Sequence, residues 1–128
     1  MNLKTKSSLI LGAAAMLAAG GAASAWAHHS FALFDAQKNI TLEGEVKQFQ
    51  WTNPHTWIQL MVLDAAGKPM EWSIEGGSAA TMSRQGWTRT ALKTGDRVIV
   101  VIHPLKDGTR GGSLVSAALN GQPIGSRS

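Results

Sequence analysis

A single short helical segment interrupts a chain whose other periodic segments alternate like β-strands, and this order limits the folds available to it. Ser78 is suited to cap the start of the helix, and Gly86 is suited to end it. Three strand-like segments precede the helix and two follow it: residues 40–51, 56–63, 70–75, 97–103 and 113–119. The pattern predicts a mainly β fold with one helix between strands three and four.

The first strand-like segment changes its alternation part-way along. Gly44 and Val46 share one face of the strand. The next large apolar residues, Phe49 and Trp51, have the opposite parity. A β-bulge near Gln48 explains that shift, and Gly44 permits a sharp bend. Because small barrels turn their corners with long, bent strands, we expect a five-stranded barrel of the OB-fold type, with a two-sheet sandwich as the alternative.

Two other strands carry predictions about burial. In the third, Met70, Trp72 and Ile74 alternate with polar residues, so we expect Trp72 in the core. In the fourth, residues 98–102 are all apolar, which predicts a central strand that is buried on both faces. From Asn120 onward the pattern predicts a tail without regular structure.

The beginning of the chain has the pattern of a secretory signal peptide. Lys4 and Lys6 precede a short apolar run, and small residues follow up to Ala27. The run is too short to span a bilayer. Cleavage fits after Ala25 or after Ala27, and no lipid anchor is expected because no cysteine follows. The predicted organisation is a signal peptide (1–27), an N-terminal arm (28–39), an OB-like β-barrel (40–121) and a C-terminal tail (122–128).

Charge and cysteine content limit the environment and the partners. Twelve basic and eight acidic residues give a net charge of +4, which falls to +2 once Lys4 and Lys6 are removed with the leader. The remaining basic residues are scattered, so we expect no nucleic-acid partner. The absence of cysteine means that an exported domain of this size is held together by packing rather than by disulfides. We expect a periplasmic protein with no transmembrane segment after signal removal.

Several separate motifs within residues 28–121 point to one family. They are His28-His29-Ser30-Phe31, Trp51-Thr52-Asn53-Pro54-His55, Trp57-Ile58, Glu71-Trp72-Ser73-Ile74-Glu75-Gly76-Gly77-Ser78, and the stretch from Gly95-Asp96 to His103-Pro104-Leu105. Together they resemble the bacterial exported family called domain of unknown function 6152. The resemblance implies a small, signal-bearing periplasmic domain, and it implies no ligand or catalytic residue.

Four histidines, His28, His29, His55 and His103, form the first candidate site. In an OB-fold, the loops after strands one and four lie on the binding side, so His55 and His103 are expected to approach each other. If cleavage follows Ala27, the free amine and the imidazole of His28 chelate a metal ion, and another histidine supplies a third nitrogen. Such a nitrogen-rich set favours copper, with zinc or nickel next.

Structural roles remain open for the same histidines. His55 is placed to hydrogen-bond a turn, and His103 is placed to cap the end of a strand. Asp35 and Glu75 are the carboxylates suited to orient an imidazole. By its position on a polar strand face, Glu75 is also expected to be a solvated carboxylate.

Two tryptophans form the second candidate site. Trp51 and Trp57 flank the first loop and, with Asn53, could stack a flat ligand such as a sugar, a base or a cell-wall fragment. The alternative is that they cover the open end of the barrel.

We find no nucleophile elbow, phosphate loop or partnered carboxylate, and so predict no catalytic residue. The sequence therefore predicts a periplasmic, non-catalytic binding domain. Its expected ligand is a metal ion, copper above others, and the alternative is a small molecule or an envelope polymer.

Overall fold

The computed structural model describes residues 32–125 of the chain. Six strands and one helix follow in this order: β1 Ile40–Gln50, β2 Trp57–Leu63, β3 Pro69–Glu75, α1 Ala79–Arg84, β4 Arg97–Pro104, β5 Gly111–Leu119 and β6 Gln122–Ile124. The five predicted strands are all present, and the helix lies between β3 and β4 as predicted. No helix within the described residues is long and apolar enough to cross a bilayer.

The sheet closes on itself. Its strand order is β3-β2-β1-β4-β5-β6, and β3 also pairs with β5, in parallel. Five strands therefore form a closed barrel, which removes the exposed edges that an open sheet would have. The barrel prediction is confirmed.

Strand β1 is long because it pairs with a different neighbour along each half of its length. Its first half pairs with β4, and its second half pairs with β2. The register shifts between Val46 and Gln48, which is the predicted bulge. Gly44 lies two residues before this bulge, and a β-carbon there would overlap the carbonyl oxygen of Met61 on the neighbouring strand. Only glycine lets the two strands approach this closely.

The core fills the inside of the barrel and is covered by α1 and the segment after it. Its buried apolar residues are Leu42, Val46, Ile58, Leu60, Ile74, Met82, Trp87, Leu92, Val98, Val100, Ile102 and Ala117. The helix begins where Ser78 Oγ accepts a hydrogen bond from the Thr81 amide at 3.1 Å, and Gly86 follows it with φ of 89°. Both predicted helix ends are confirmed.

Three expectations about burial and extent differ from the structure. Trp72 packs against the core but is only partly buried. Strand β4 is central, yet Ile99 is 45% exposed, because alternate residues of a barrel strand face outward, away from the core. The predicted tail contains β6, which pairs with the end of β5. Asn120 and Gly121, both with positive φ, form the tight turn that makes this short hairpin possible.

Candidate functional site

The β1–β2 loop, residues 51–56, is held against the connection between β3 and α1. The Thr56 amide and hydroxyl both donate to the carbonyl oxygen of Gly77, at 2.8 and 3.0 Å. The Thr56 carbonyl accepts from the Gly76 amide at 2.8 Å. Thr56 is 1% exposed, so these bonds form away from water. They join two loops that are about twenty residues apart in the chain.

Asn53 and Gly76 complete this junction. Asn53 Oδ1 accepts a hydrogen bond from the Ala79 amide at 3.1 Å, which satisfies a free donor at the start of α1. A β-carbon on Gly76 would overlap Thr56 Oγ1, so only glycine lets the loops meet this closely. Asn53 therefore has a structural partner, and its predicted contact with a ligand stays a prediction.

His55 lies at the edge of the same junction. Its Nδ1 is 3.2 Å from the Gly76 carbonyl oxygen and 3.2 Å from Glu75 Oε1. The His55 side chain is 39% exposed, whereas that of Glu75 is 15% exposed. Glu75 is therefore a partner of an imidazole, one of the two roles that the sequence left open for it.

His103 lies near the end of β4 and contacts the described part of the N-terminal arm. Its Nδ1 is 2.8 Å from the carbonyl oxygen of Lys38. Asp35, the other carboxylate suited to orient an imidazole, pairs instead with Lys38 Nζ at 3.1 Å. That hydrogen bond lowers the pKa of Asp35 below its ordinary value.

Both described histidines use the same ring nitrogen, Nδ1, to bond a backbone carbonyl. A carbonyl oxygen has no proton to give, so Nδ1 of His55 and Nδ1 of His103 must each carry the hydrogen of these bonds. In the neutral ring, Nε2 then holds the lone pair that can bind a metal ion. Histidines that bind metals usually donate their other N–H to a carbonyl or a carboxylate in this way.

The two histidines lie on the outside of the barrel but not against each other. On neighbouring strands, Trp57 pairs with Glu75, Glu75 pairs with Ser113, and Ser113 pairs with His103. Three strand spacings separate the backbones of Trp57 and His103, about 14 Å. Residues 32–125 contain no group of three or more histidine, cysteine, aspartate or glutamate side chains that could hold a metal ion. His28 and His29 lie outside the described residues.

The two tryptophans of the second candidate site face opposite directions. Trp51 packs against the core and meets the Phe49 ring edge-on, with centroids 5.9 Å apart. Trp57 pairs with Gln50 on one side and Glu75 on the other. Because the next residue, Ile58, is buried, alternation places Trp57 on the outward face.

Sequence reasoning did not predict the contact of Thr56 with Gly76 and Gly77, or a role for Gln50. Thr56 and Gly76 depend on a contact between distant loops, for which no local pattern exists. The only signal was indirect. Thr56 has the same parity as the inward-facing residues of β2, and a polar side chain in such a position needs a buried hydrogen-bond partner.

The family model "family of unknown function (DUF6152)" matches residues 15–115. The chain belongs to this family. The match covers both loops that are joined through Thr56. No curated protein matches the chain.

Among solved structures, the chain is similar to the mitochondrial single-stranded DNA-binding protein Rim1 from S. cerevisiae. The identity is 11% and the TM-score is 0.47, over 65% of this chain and 94% of that one. This finding contradicts our expectation that the protein has no nucleic-acid partner, and we do not retain that exclusion. Scattered basic residues argue only against phosphate contacts, whereas single strands are also held by stacking on aromatic side chains. The likeness itself assigns no ligand to this chain.

Proposed function

We propose that this protein is an exported, periplasmic, non-catalytic domain that binds a transition metal ion, with copper favoured. The observation that carries the proposal is the shared state of His55 and His103. Each donates Nδ1–H to a backbone carbonyl and keeps Nε2 for a ligand.

The carboxylate beside His55 and the nitrogen ligands themselves support this assignment. Glu75 places a carboxylate oxygen 3.2 Å from His55 Nδ1, which helps to fix the orientation of the imidazole. Imidazole ligands suit copper, zinc and nickel, and a set built mainly of nitrogen favours copper. His28 and His29 remain the additional ligands predicted from the sequence, and export remains the prediction of residues 1–27.

Copper titration of the exported protein tests the proposal. We expect Cu(II) to be taken up, and we expect His55→Ala and His103→Ala each to weaken the binding at its own position by about tenfold or more, the effect of losing a ligand or its support. Gln85→Ala, at the exposed end of α1, is a control that should leave affinity unchanged. Intact mass of the same sample establishes whether the mature chain begins at residue 26 or 28.

The results separate the parts of the proposal. No uptake of copper, zinc or nickel contradicts it. Uptake that neither histidine variant weakens removes His55 and His103 from the site. A mature chain beginning at Trp26 removes the terminal chelate, because the amine then belongs to a different residue.

A further inference from the structure

A row of three side chains crosses the outside of the barrel where β1, β2 and β3 lie side by side. Gln50 pairs with Trp57, and Trp57 pairs with Glu75. Directly paired residues project from the same face of a sheet. Since Ile58 and Ile74 are buried, the three paired residues face outward. We call this row the Gln50-Trp57-Glu75 stripe.

Neighbouring side chains hold both polar ends of the stripe. Gln59 Nε2 donates to Gln50 Oε1 at 3.4 Å, which turns the Gln50 amide nitrogen away as a donor. His55 Nδ1 lies 3.2 Å from Glu75 Oε1, and the carboxylate retains further acceptor positions. A site whose polar groups are already oriented loses less entropy when a ligand binds.

The chemistry of the stripe defines its ligand. The indole of Trp57 offers a flat apolar surface, with an amide on one side and a carboxylate on the other, each about 5 Å away across the sheet. A pyranose ring has an apolar C–H face and a rim of hydroxyl groups. Its face can stack on the indole while its hydroxyls donate to Glu75 and exchange hydrogen bonds with Gln50.

We propose that the Gln50-Trp57-Glu75 stripe binds a neutral pyranose chain. The Glu75 carboxylate accepts hydrogen bonds from hydroxyl groups and repels acidic sugars, so a neutral chain fits best. Trp51 and Asn53 take no part, because one packs on the core and the other caps α1. The proposal does not depend on metal binding, since neither Gln50 nor Trp57 is a proposed metal ligand and Glu75 contacts the proposed metal site only through His55.

Calorimetric titration with a chelator present tests this site separately from the metal. The probes are neutral hexasaccharides, one of β-1,4-linked glucose and one of β-1,4-linked N-acetylglucosamine. We expect at least one to bind, and Trp57→Ala to weaken it by about tenfold or more, the scale of losing a stacking surface. Trp57→Phe keeps part of the surface and should weaken binding less. Glu75→Gln, which removes the charge at nearly constant shape, should weaken binding by a few-fold.

The matched control is Ile99→Ala, which removes an exposed apolar side chain from the outward face of β4 and should leave affinity unchanged. Thermal denaturation of each variant establishes that it is folded. Two results would overturn the proposal: neither hexasaccharide binds, or Trp57→Ala and Trp57→Phe bind as well as the original chain. If both sugars fail and an oligothymidylate binds in a Trp57-dependent way, the stripe is a nucleic-acid site instead.

Discussion

The two loops that carry or follow the described histidines are held in opposite ways. The β1–β2 loop is bonded to residues far along the chain, through Thr56 to Gly77 and through Asn53 to Ala79. The β4–β5 loop, residues 105–110, is held largely by its own residues. The Asp107 carboxylate accepts from the Thr109 amide at 2.9 Å and from its hydroxyl at 2.7 Å. Residues 106–110 are all exposed.

This difference shows which loop belongs to the core. The β1–β2 loop buries Thr56 and cannot move without breaking bonds to the β3–α1 connection. It therefore fixes His55 and Glu75 as rigidly as the barrel itself, which suits a site that needs exact placement. Within the described residues, the β4–β5 loop is tied to other segments only near its ends. Leu105 forms a bridge with Phe34, and Arg110 bonds to β3, through Nε to the Glu71 carbonyl and through its own carbonyl from the Ser73 amide, both at 3.2 Å.

The largest loss of stability should come from adding a β-carbon where the β1–β2 loop meets the β3–α1 connection. Gly76→Ala places a β-carbon on Thr56 Oγ1, so the junction must separate or the threonine must turn away from Gly77. We expect the free energy of unfolding to fall by about 2–3 kcal/mol, at the upper end for an overpacked site. Urea denaturation measures it.

Gly108→Ala in the β4–β5 loop is the matched comparison. Gly108 has φ of 78° with open space around it, so the alanine costs only backbone strain. We expect a loss of about 1 kcal/mol. If Gly76→Ala costs no more than Gly108→Ala, the contrast between the two loops is wrong.

A smaller loss of stability should follow from removing one hydroxyl group in each loop. Thr56→Val keeps the shape of a buried side chain but removes its bond to the Gly77 carbonyl, which still accepts from the Thr56 amide. We expect a loss of about 1 kcal/mol in unfolding free energy. Thr109→Val removes an exposed hydrogen bond and should cost less than about 0.5 kcal/mol. Equal losses in the two variants would mean that burial does not distinguish these hydroxyls.

Local patterns were sufficient to predict most of the barrel. Alternation identified the strands, the parity change located the bulge between Val46 and Gln48, and Ser78 with Gly86 marked the helix. Each of these signals lies within a few residues of the feature that it predicts. Strand β6 has only three residues, one of them Pro123, and its stability comes from pairing with β5, so its own sequence did not reveal it.

Long-range contacts could not be predicted in the same way. The sequence offered Asp35 and Glu75 equally as partners for an imidazole, and only the register of β2 and β3 places Glu75 beside His55. Trp51 and Trp57 looked equivalent on either side of one loop. The bulge in β1 turns Trp51 onto the core, whereas Trp57, in β2, faces outward. The candidate site was therefore predicted by residue type but not by geometry.

The smallest effect should come from the carboxylate that holds the β4–β5 loop. Hydrogen bonds from the hydroxyl and then the amide of Thr109 lower the pKa of Asp107 below its ordinary value of 3.8. A carboxyl whose pKa is lower in the folded chain stabilises the fold at pH above 3.8, and this contribution is lost as pH falls through the lowered value. Asp107→Asn removes the charge and hence this pH dependence.

We therefore expect Asp107→Asn to lower the urea midpoint slightly at pH 7, by less than Thr56→Val, and the difference from the original chain to shrink as the pH falls below 3.8. Denaturation at pH 7 and at pH 3 measures both values. A difference that grows in acid would reverse the assigned direction of the Asp107 shift. The loss should be small because an isolated exposed turn contributes little to the stability of the core. A loss as large as that of Gly76→Ala would mean that the β4–β5 loop supports the barrel as strongly as the β1–β2 loop does.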